Sequence, residues 1–131
     1  MELRRKEFTY RGKTLDELKK LDVREFAKYL RSRQRRSVLR QFQKIEEFIS
    51  RAKTKENKKG VIRTHQRDIV VVPGMVGMRI NVYNGQKFIA VDIVGEMLGH
   101  KLGEFALTRA RIKHGKAGVG ATKGTKFKAK K

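Results

Sequence analysis

Apolar positions change their spacing twice along this chain. Met1 to Gly12 has little periodicity, with Phe8 and Tyr10 set among basic residues. Thr14 followed by Glu17 is a capping box, and Leu15, Leu18 and Leu21 come after it. A second box, Asp22 with Glu25, opens Val23 to Leu30, whose apolar positions are Phe26, Tyr29 and Leu30. Two short helices are expected there. Val38, Phe42, Ile45, Ile49 and Ala52 then recur at three and four residues and form one apolar stripe, the strongest helix signal in the chain. Arg36, Arg40, Gln43, Glu47 and Arg51 fall mostly elsewhere on the wheel. This helix is expected to fray into KTKENKKG, a polar loop closed by Gly60.

Beyond Gly60 the period changes from 3.6 to 2. Val61 to Arg67 is a mixed strand candidate. Ile69 to Val72 reads as a strand by its β-branched run, but Pro73-Gly74 stops it. Met78 to Tyr83 and Gln86 to Ile93 flank Asn84-Gly85, a strong hairpin signal because both positions of a tight turn need φ > 0. A two-residue turn would set Tyr83 opposite Gln86, Ile80 opposite Ile89 and Met78 opposite Val91. Met78, Ile80, Val82, Ile89 and Val91 then share one face. The other face carries Arg79, Asn81, Tyr83, Phe88 and Ala90. It is read as a second packing surface for the N-terminal helices in preference to a base-stacking platform. Val94 to Leu98 is expected to form one helical turn, broken by Gly95 and Gly99. From Ala110 no apolar pattern remains, and a tail so rich in Gly and Lys cannot bury enough surface to fold alone. The fold class is therefore α+β. A helical extension spans residues 1–30, a core 31–109 and a basic tail 110–131.

Charge sharpens this division. The 131 residues carry 34 Lys and Arg against 13 Asp and Glu, a net +21. Residues 1–30 contribute +3, 31–60 contribute +8, 61–108 only +1 and 109–131 contribute +9. A nearly neutral block is thus flanked by a basic helical segment and a basic tail. Self-repulsion on this scale disfavours a compact chain unless a polyanion neutralises it, so the working state is expected to be bound to nucleic acid. The RSRQRRS run at 31–37 favours Arg, whose planar fork grips phosphate bidentately and stacks on bases.

Other chemistry is weakly represented. There is no Cys, which excludes disulfides and cysteine metal sites and fits a cytosolic protein. No apolar run has the length of a membrane span, and no secretory signal is visible. His65, His100 and His114 lack metal-ligand spacing, and no Gly is followed at phosphate-loop spacing by Gly-Lys-Ser/Thr. Asp92, Glu96 and Glu104 could be cast as an acid-base set, but local ion pairs explain them more simply. No nucleophile-base-orienter group is formed. A non-enzymatic chain without cofactor or metal is expected.

One segment carries a specific resemblance. Residues 84–109, NGQKFIAVDIVGEMLGHKLGEFALTR, resemble the hallmark of the S-nineteen family of small-subunit ribosomal proteins, called S-fifteen in eukaryotes. The matching positions are Asn84, Gly85, Ile93, Leu98, Gly99, Leu102, Gly103, Glu104, Phe105 and Thr108. Pro73, Met75, Val76 and Gly77 match the family's Pro-x-Met-hydrophobic-Gly stretch. The resemblance covers about residues 31–113. Phe8-Thr9-Tyr10-Arg11-Gly12 and Ser32-Arg33-Gln34-Arg35-Arg36 resemble the archaeal and eukaryotic branch, and without a longer eukaryotic-type extension the chain looks archaeal.

The family implies an amphipathic helix on a three-stranded sheet, the first strand near Ile62 to Arg67, with residues 69–76 an irregular or short helical connection. It implies a cytoplasmic place in the small-subunit head. There the protein would bind the 3′ major domain of small-subunit rRNA beside protein S-thirteen. The tail would reach toward the tRNA sites, and the head would contact the large subunit. Contacts with rRNA should be mainly to backbone, shape and unpaired bases. The expected contact residues are Arg31, Arg33, Arg35, Arg36 and Arg40 around the helix start, and Arg63, His65 and Arg67 on the first strand. Arg79 and Lys87 would join from the hairpin, His100, Lys101 and Arg109 from the Gly-rich segment, and Arg111 and Lys113 from the base of the tail. A free nucleic-acid-compacting protein would use the same charge, and an RNA-modifying enzyme is the third reading.

Overall fold

A computed structural model describes residues 7–113 and 115–128. Strands β1 (Thr9–Tyr10) and β2 (Lys13–Thr14) form a small hairpin that the sequence pattern did not suggest. Its turn, Arg11-Gly12, has φ of 48° and 78°. Helices α1 (Leu15–Lys19) and α2 (Val23–Ala27) follow, and both open with the expected capping boxes at Thr14 and Asp22. Each helix is only five residues long. Isolated helices of that length are unstable in water, so capping and packing must hold them.

The Arg-rich run is itself helical. Helix α3 (Ser32–Arg40) begins six residues before Val38, and α4 (Phe42–Asn57) continues it. Where one helix was expected, the ladder breaks at Gln41, with φ −117° and ψ 16°. The break lets α3 pack against α2 while α4 crosses to both α2 and β3. Phe42, just after it, lies under the Arg24 guanidinium, 3.7 Å from the ring centroid. Of the predicted stripe, Val38, Ile45 and Ala52 are buried, Phe42 and Ile49 half-buried; Phe48, outside the prediction, is buried too. KTKEN is the end of α4, not a loop, as its Lys and Glu are good helix formers. The chain leaves the helix through Lys59 (φ 52°), and the Gly60 N–H donates to the Lys55 carbonyl at 2.8 Å.

The main sheet has strand order β3 (Ile62–Thr64), β4 (Arg79–Tyr83), β5 (Phe88–Asp92), with β3 parallel and β5 antiparallel to β4. The hairpin register corrects the expectation. Tyr83 faces Phe88, Ile80 faces Val91 and Arg79 faces Asp92. The connection is four residues, because the Asn84 side chain accepts from the N–H groups of Gln86 (2.9 Å) and Lys87 (2.8 Å). The Asn84 N–H also donates to the Lys87 carbonyl. The slip from the predicted pairing is two residues, an even number, so each side chain keeps its predicted face. Ile69 to Val72 is not a sheet strand. All four residues are at most 1% exposed, and their backbone bonds the Gly-rich segment: Val71 N–H to His100 O, Gly99 N–H to Val71 O, Leu102 N–H to Ile69 O. A 3-10 turn at Pro73–Met75 then ends the run, as the family resemblance implied.

One core joins the N-terminal helices, α3, α4, the main sheet and the Gly-rich segment. Leu18 and Phe26 from the N-terminal helices and Leu30 just after them are buried with Ile45, Ile80, Met75 and Leu102. The glycines of the 95–103 segment permit this closeness. Gly99 has φ +81°, and a Cβ there would stand 3.1 Å from Leu30 Cδ2 and 3.2 Å from the Tyr10 hydroxyl. Gly99→Ala should therefore cost about 1–3 kcal/mol, from the left-handed backbone and crowding together. Thermal unfolding followed by circular dichroism would read this directly. Gly118→Ala, which meets open space, should leave the midpoint unchanged.

Candidate nucleic-acid interface

Helix α3 sorts its arginines by periodicity. Arg33, Arg36 and Arg40 are three and four residues apart, share one face and are exposed. Arg35 points elsewhere. Its Nη2 donates to the carbonyls of Lys28 (2.9 Å) and Leu30 (3.2 Å), and its Nε to Ala27 (3.2 Å). It closes the C-terminal end of α2, where no glycine follows to do so. Arg35 is thus a structural cap, although its residue surface is exposed. Arg31 borders a cleft of about 220 Å³ that also holds Tyr10, Gln34, Glu96 and His100, so the structure joins two predicted contact residues from distant segments.

A second group lies on the outer face of the sheet. The strand register sets Arg63 beside Asn81, Asn81 beside Ala90, and Arg79 beside Asp92. His65, Tyr83 and Phe88 form an aromatic cluster with ring centroids 4.6, 5.1 and 5.1 Å apart. Arg63, His65, Arg79 and Ala90 are exposed, and Asn81, Tyr83 and Phe88 half-buried. The expectation that the N-terminal helices cover this face is not met; their buried side chains join the inner core. Arg51 of α4 borders a cleft of about 240 Å³ together with Arg63 and His65. The sequence set Arg51 off the apolar stripe together with Arg36 and Arg40, but no spacing singled it out as a contact.

Arg67 is turned inward. Its Nη1 donates to Tyr83 O at 2.6 Å and its Nη2 to Gly103 O and Ala106 O, both at 2.7 Å. In return the Gly103 N–H donates to the Arg67 carbonyl at 2.9 Å. These bonds occupy the guanidinium fork, so Arg67 clamps the sheet to the Gly-rich segment and presents little to an RNA. Lys101 is half-buried, with its backbone N–H on Glu104 Oε1. The other carboxylate oxygen of Glu104 lies 2.7 Å from His100 Nδ1, and the His100 ring meets Phe105 edge-on. Lys87, Arg109, Arg111 and Lys113 are exposed; His114 lies outside the described residues.

Little of the positive charge is neutralised internally. Among the described residues the ion pairs are Lys44–Asp68, Arg79–Asp92 and His100–Glu104. All have side chains at least 40% exposed, the class of pair that contributes little to stability. Burial pushes the Asp68 carboxyl upward, but hydrogen bonds from Gln41 and its own backbone, with the Lys44 charge, outweigh that and hold it below its ordinary value. Gln41 Nε2 and Lys44 Nζ both reach the same Asp68 oxygen, at 3.0 and 3.4 Å, tying the helix break to residue 68. Of the three acids considered for catalysis, Asp92 faces Arg79 on the sheet, Glu104 holds His100, and Glu96 lines the cleft beside Arg31. Among the described residues no cluster of His, Asp and Glu could hold a metal ion.

Comparison with known proteins fits this geometry. A family profile for ribosomal protein S19 matches residues 31–114, from the residue before α3 into the tail. The small ribosomal subunit protein uS19 of the archaeon Methanocella arvoryzae is 46% identical over 125 residues, covering 95% of this chain and 87% of that protein. The protein of the same name from the archaeon Halorubrum lacusprofundi is 47% identical over 126 residues, covering 93% and 89%. Matches covering 95% and 93% of this chain must include most of the N-terminal helices as well as the profile region. On this ground the chain belongs to the ribosomal protein S19 family.

Proposed function

We propose that this protein is a structural constituent of the small ribosomal subunit and works in translation by holding rRNA. The observation that carries this reading is the exposed Arg33–Arg36–Arg40 face of α3, which has no acidic partner among the described residues, on a chain of net charge +21. Such a face binds phosphates and releases their counterions. The core fixes where the arginines stand, and RNA shape and unpaired bases provide selectivity. In this proposal the RNA is the 3′ major domain in the subunit head, with protein S-thirteen as neighbour. The basic tail reaches toward the tRNA sites, and the head contacts the large subunit. Arg31, Arg63, His65, Arg79, Lys87, His100, Lys101, Arg109, Arg111 and Lys113 complete the contact set. Arg35 and Arg67 are left out of it, because their guanidinium groups serve the fold.

Binding to a 3′-major-domain transcript and to duplex DNA, measured across salt concentrations, tests the proposal. The protein should prefer the transcript at moderate salt. Replacing Arg33, Arg36 and Arg40 together by Gln should lower the salt slope by about 2–3, close to one for each phosphate no longer neutralised. Equal affinity for the transcript and the DNA would favour a free compacting protein and overturn the proposal.

A further inference from the structure

The outer face of the sheet is unusual for a surface. Solvent-facing strand positions normally carry polar side chains, whereas here two half-buried aromatic rings and a histidine sit together among basic residues. The Tyr83 hydroxyl donates to Gly85 O at 3.0 Å, which fixes that ring against the hairpin turn. Arg63 extends over the Phe88 ring, 5.5 Å from its centroid. Next to the rings the surface drops. Asn81 and Ala90 are short side chains, and with Arg79 they line a depression of about 370 Å³. Arg63 itself lines the cleft shared with Arg51 and His65. The paired strands here present Arg63 and Arg79 against one carboxylate, Asp92, and Arg51 of α4 adds a third cation at the cleft.

We propose that this face is a stacking platform for an unpaired RNA base, with the His65–Tyr83–Phe88 rings against the base and Arg51 and Arg63 on the flanking phosphates. A pleated sheet holds aromatic side chains upright and fixed, so a base meets them with little ordering cost. Every base has a π-face, so the platform selects for unpaired nucleotides and not for one sequence. Charge complementarity makes RNA the occupant: an apolar protein surface would leave the arginines unpaired, and a duplex would offer no free base. This inference rests on the rRNA-binding reading and adds to it a site that works by stacking.

The test uses the full-length protein with the 3′-major-domain transcript. His65→Leu and Phe88→Leu remove ring faces without removing a formal charge, and Phe88→Tyr keeps the ring. His65→Leu and Phe88→Leu should each weaken binding about 10-fold, as loss of one stacked base predicts, with the salt slope unchanged. Phe88→Tyr should bind like the wild type. Ultraviolet crosslinking of the complex should join a nucleotide to the peptide containing Tyr83 and Phe88. His65 is exposed, so its variant keeps the test interpretable even if Phe88→Leu unfolds. Wild-type affinity in His65→Leu together with no crosslink at the hairpin would overturn the platform, and a protein segment would then be the occupant of this face. Loss of the wild type's preference for the transcript would instead overturn the rRNA-binding reading itself.

Discussion

Arg67→Met should lower stability by about 3–5 kcal/mol, the cost of stripping a charged donor from partly buried acceptors. Methionine keeps an unbranched apolar stem like that of arginine while removing the guanidinium and its donors. The carbonyls of Tyr83, Gly103 and Ala106 then lose their partners together. For a domain of this size the loss corresponds to a fall in the melting midpoint of roughly 10–25 °C. Arg67→Lys should recover less than half of it, because one ammonium cannot span the three carbonyls that the planar fork reaches. The alternative role makes the opposite prediction. If Arg67 served chiefly as an rRNA contact, the midpoint would hold, RNA affinity would fall and the salt slope would drop by about one. Calorimetry and salt-dependent binding on the same two variants separate these outcomes.

The clamp also gives a physical reason for part of the hallmark segment. A Cβ on Gly103 would lie 3.0 Å from both the Cβ and the carbonyl oxygen of Arg67. Glycine at 103 lets its N–H reach the Arg67 carbonyl while its own carbonyl accepts from the Arg67 side chain. Leu102 beside it is fully buried, and Glu104 orients His100. Leu-Gly-Glu is thus, in order, a core anchor, a close approach and an orienting carboxylate.

Legibility in the sequence followed the range of the interactions. Both capping boxes were readable, because each bond closes over three residues. The faces of the hairpin were readable, because alternation alone assigns them. Its register was not, since the Asn84 side chain turned a two-residue turn into a four-residue one. The helix break at Gln41 leaves no Gly or Pro to announce it. It is held from outside by Asp68, 27 residues on. Arg35 and Arg67 look in sequence like any other basic residue, yet Arg67 is claimed by carbonyls 16, 36 and 39 residues away. Arg35 left one faint signal, a short helix with no glycine after its end. Composition located the basic surface; only tertiary structure separated the arginines that build the fold from those left free.

The tail offers the largest expected effect on binding. Deleting residues 115–131 removes six lysines and no acidic residue. Residues 115–124 and 126–128 are exposed, with only Thr125 half-buried, so the core should melt within a degree or two of the intact chain. RNA binding should respond quite differently. Each lysine that neutralises an RNA phosphate accounts for about 0.7–0.9 of the salt slope, so removing the full set would lower it by roughly 4–5. At physiological salt that corresponds to an affinity loss on the order of 100-fold or more. On assembled small subunits the same deletion should alter tRNA binding while the protein still incorporates, because the α3 arginines remain. A fall of many degrees in the midpoint would mean that the tail braces the core. An unchanged salt slope would mean that its lysines meet no phosphate. A division of labour between a folded body that positions and a tail that reaches requires the opposite of both.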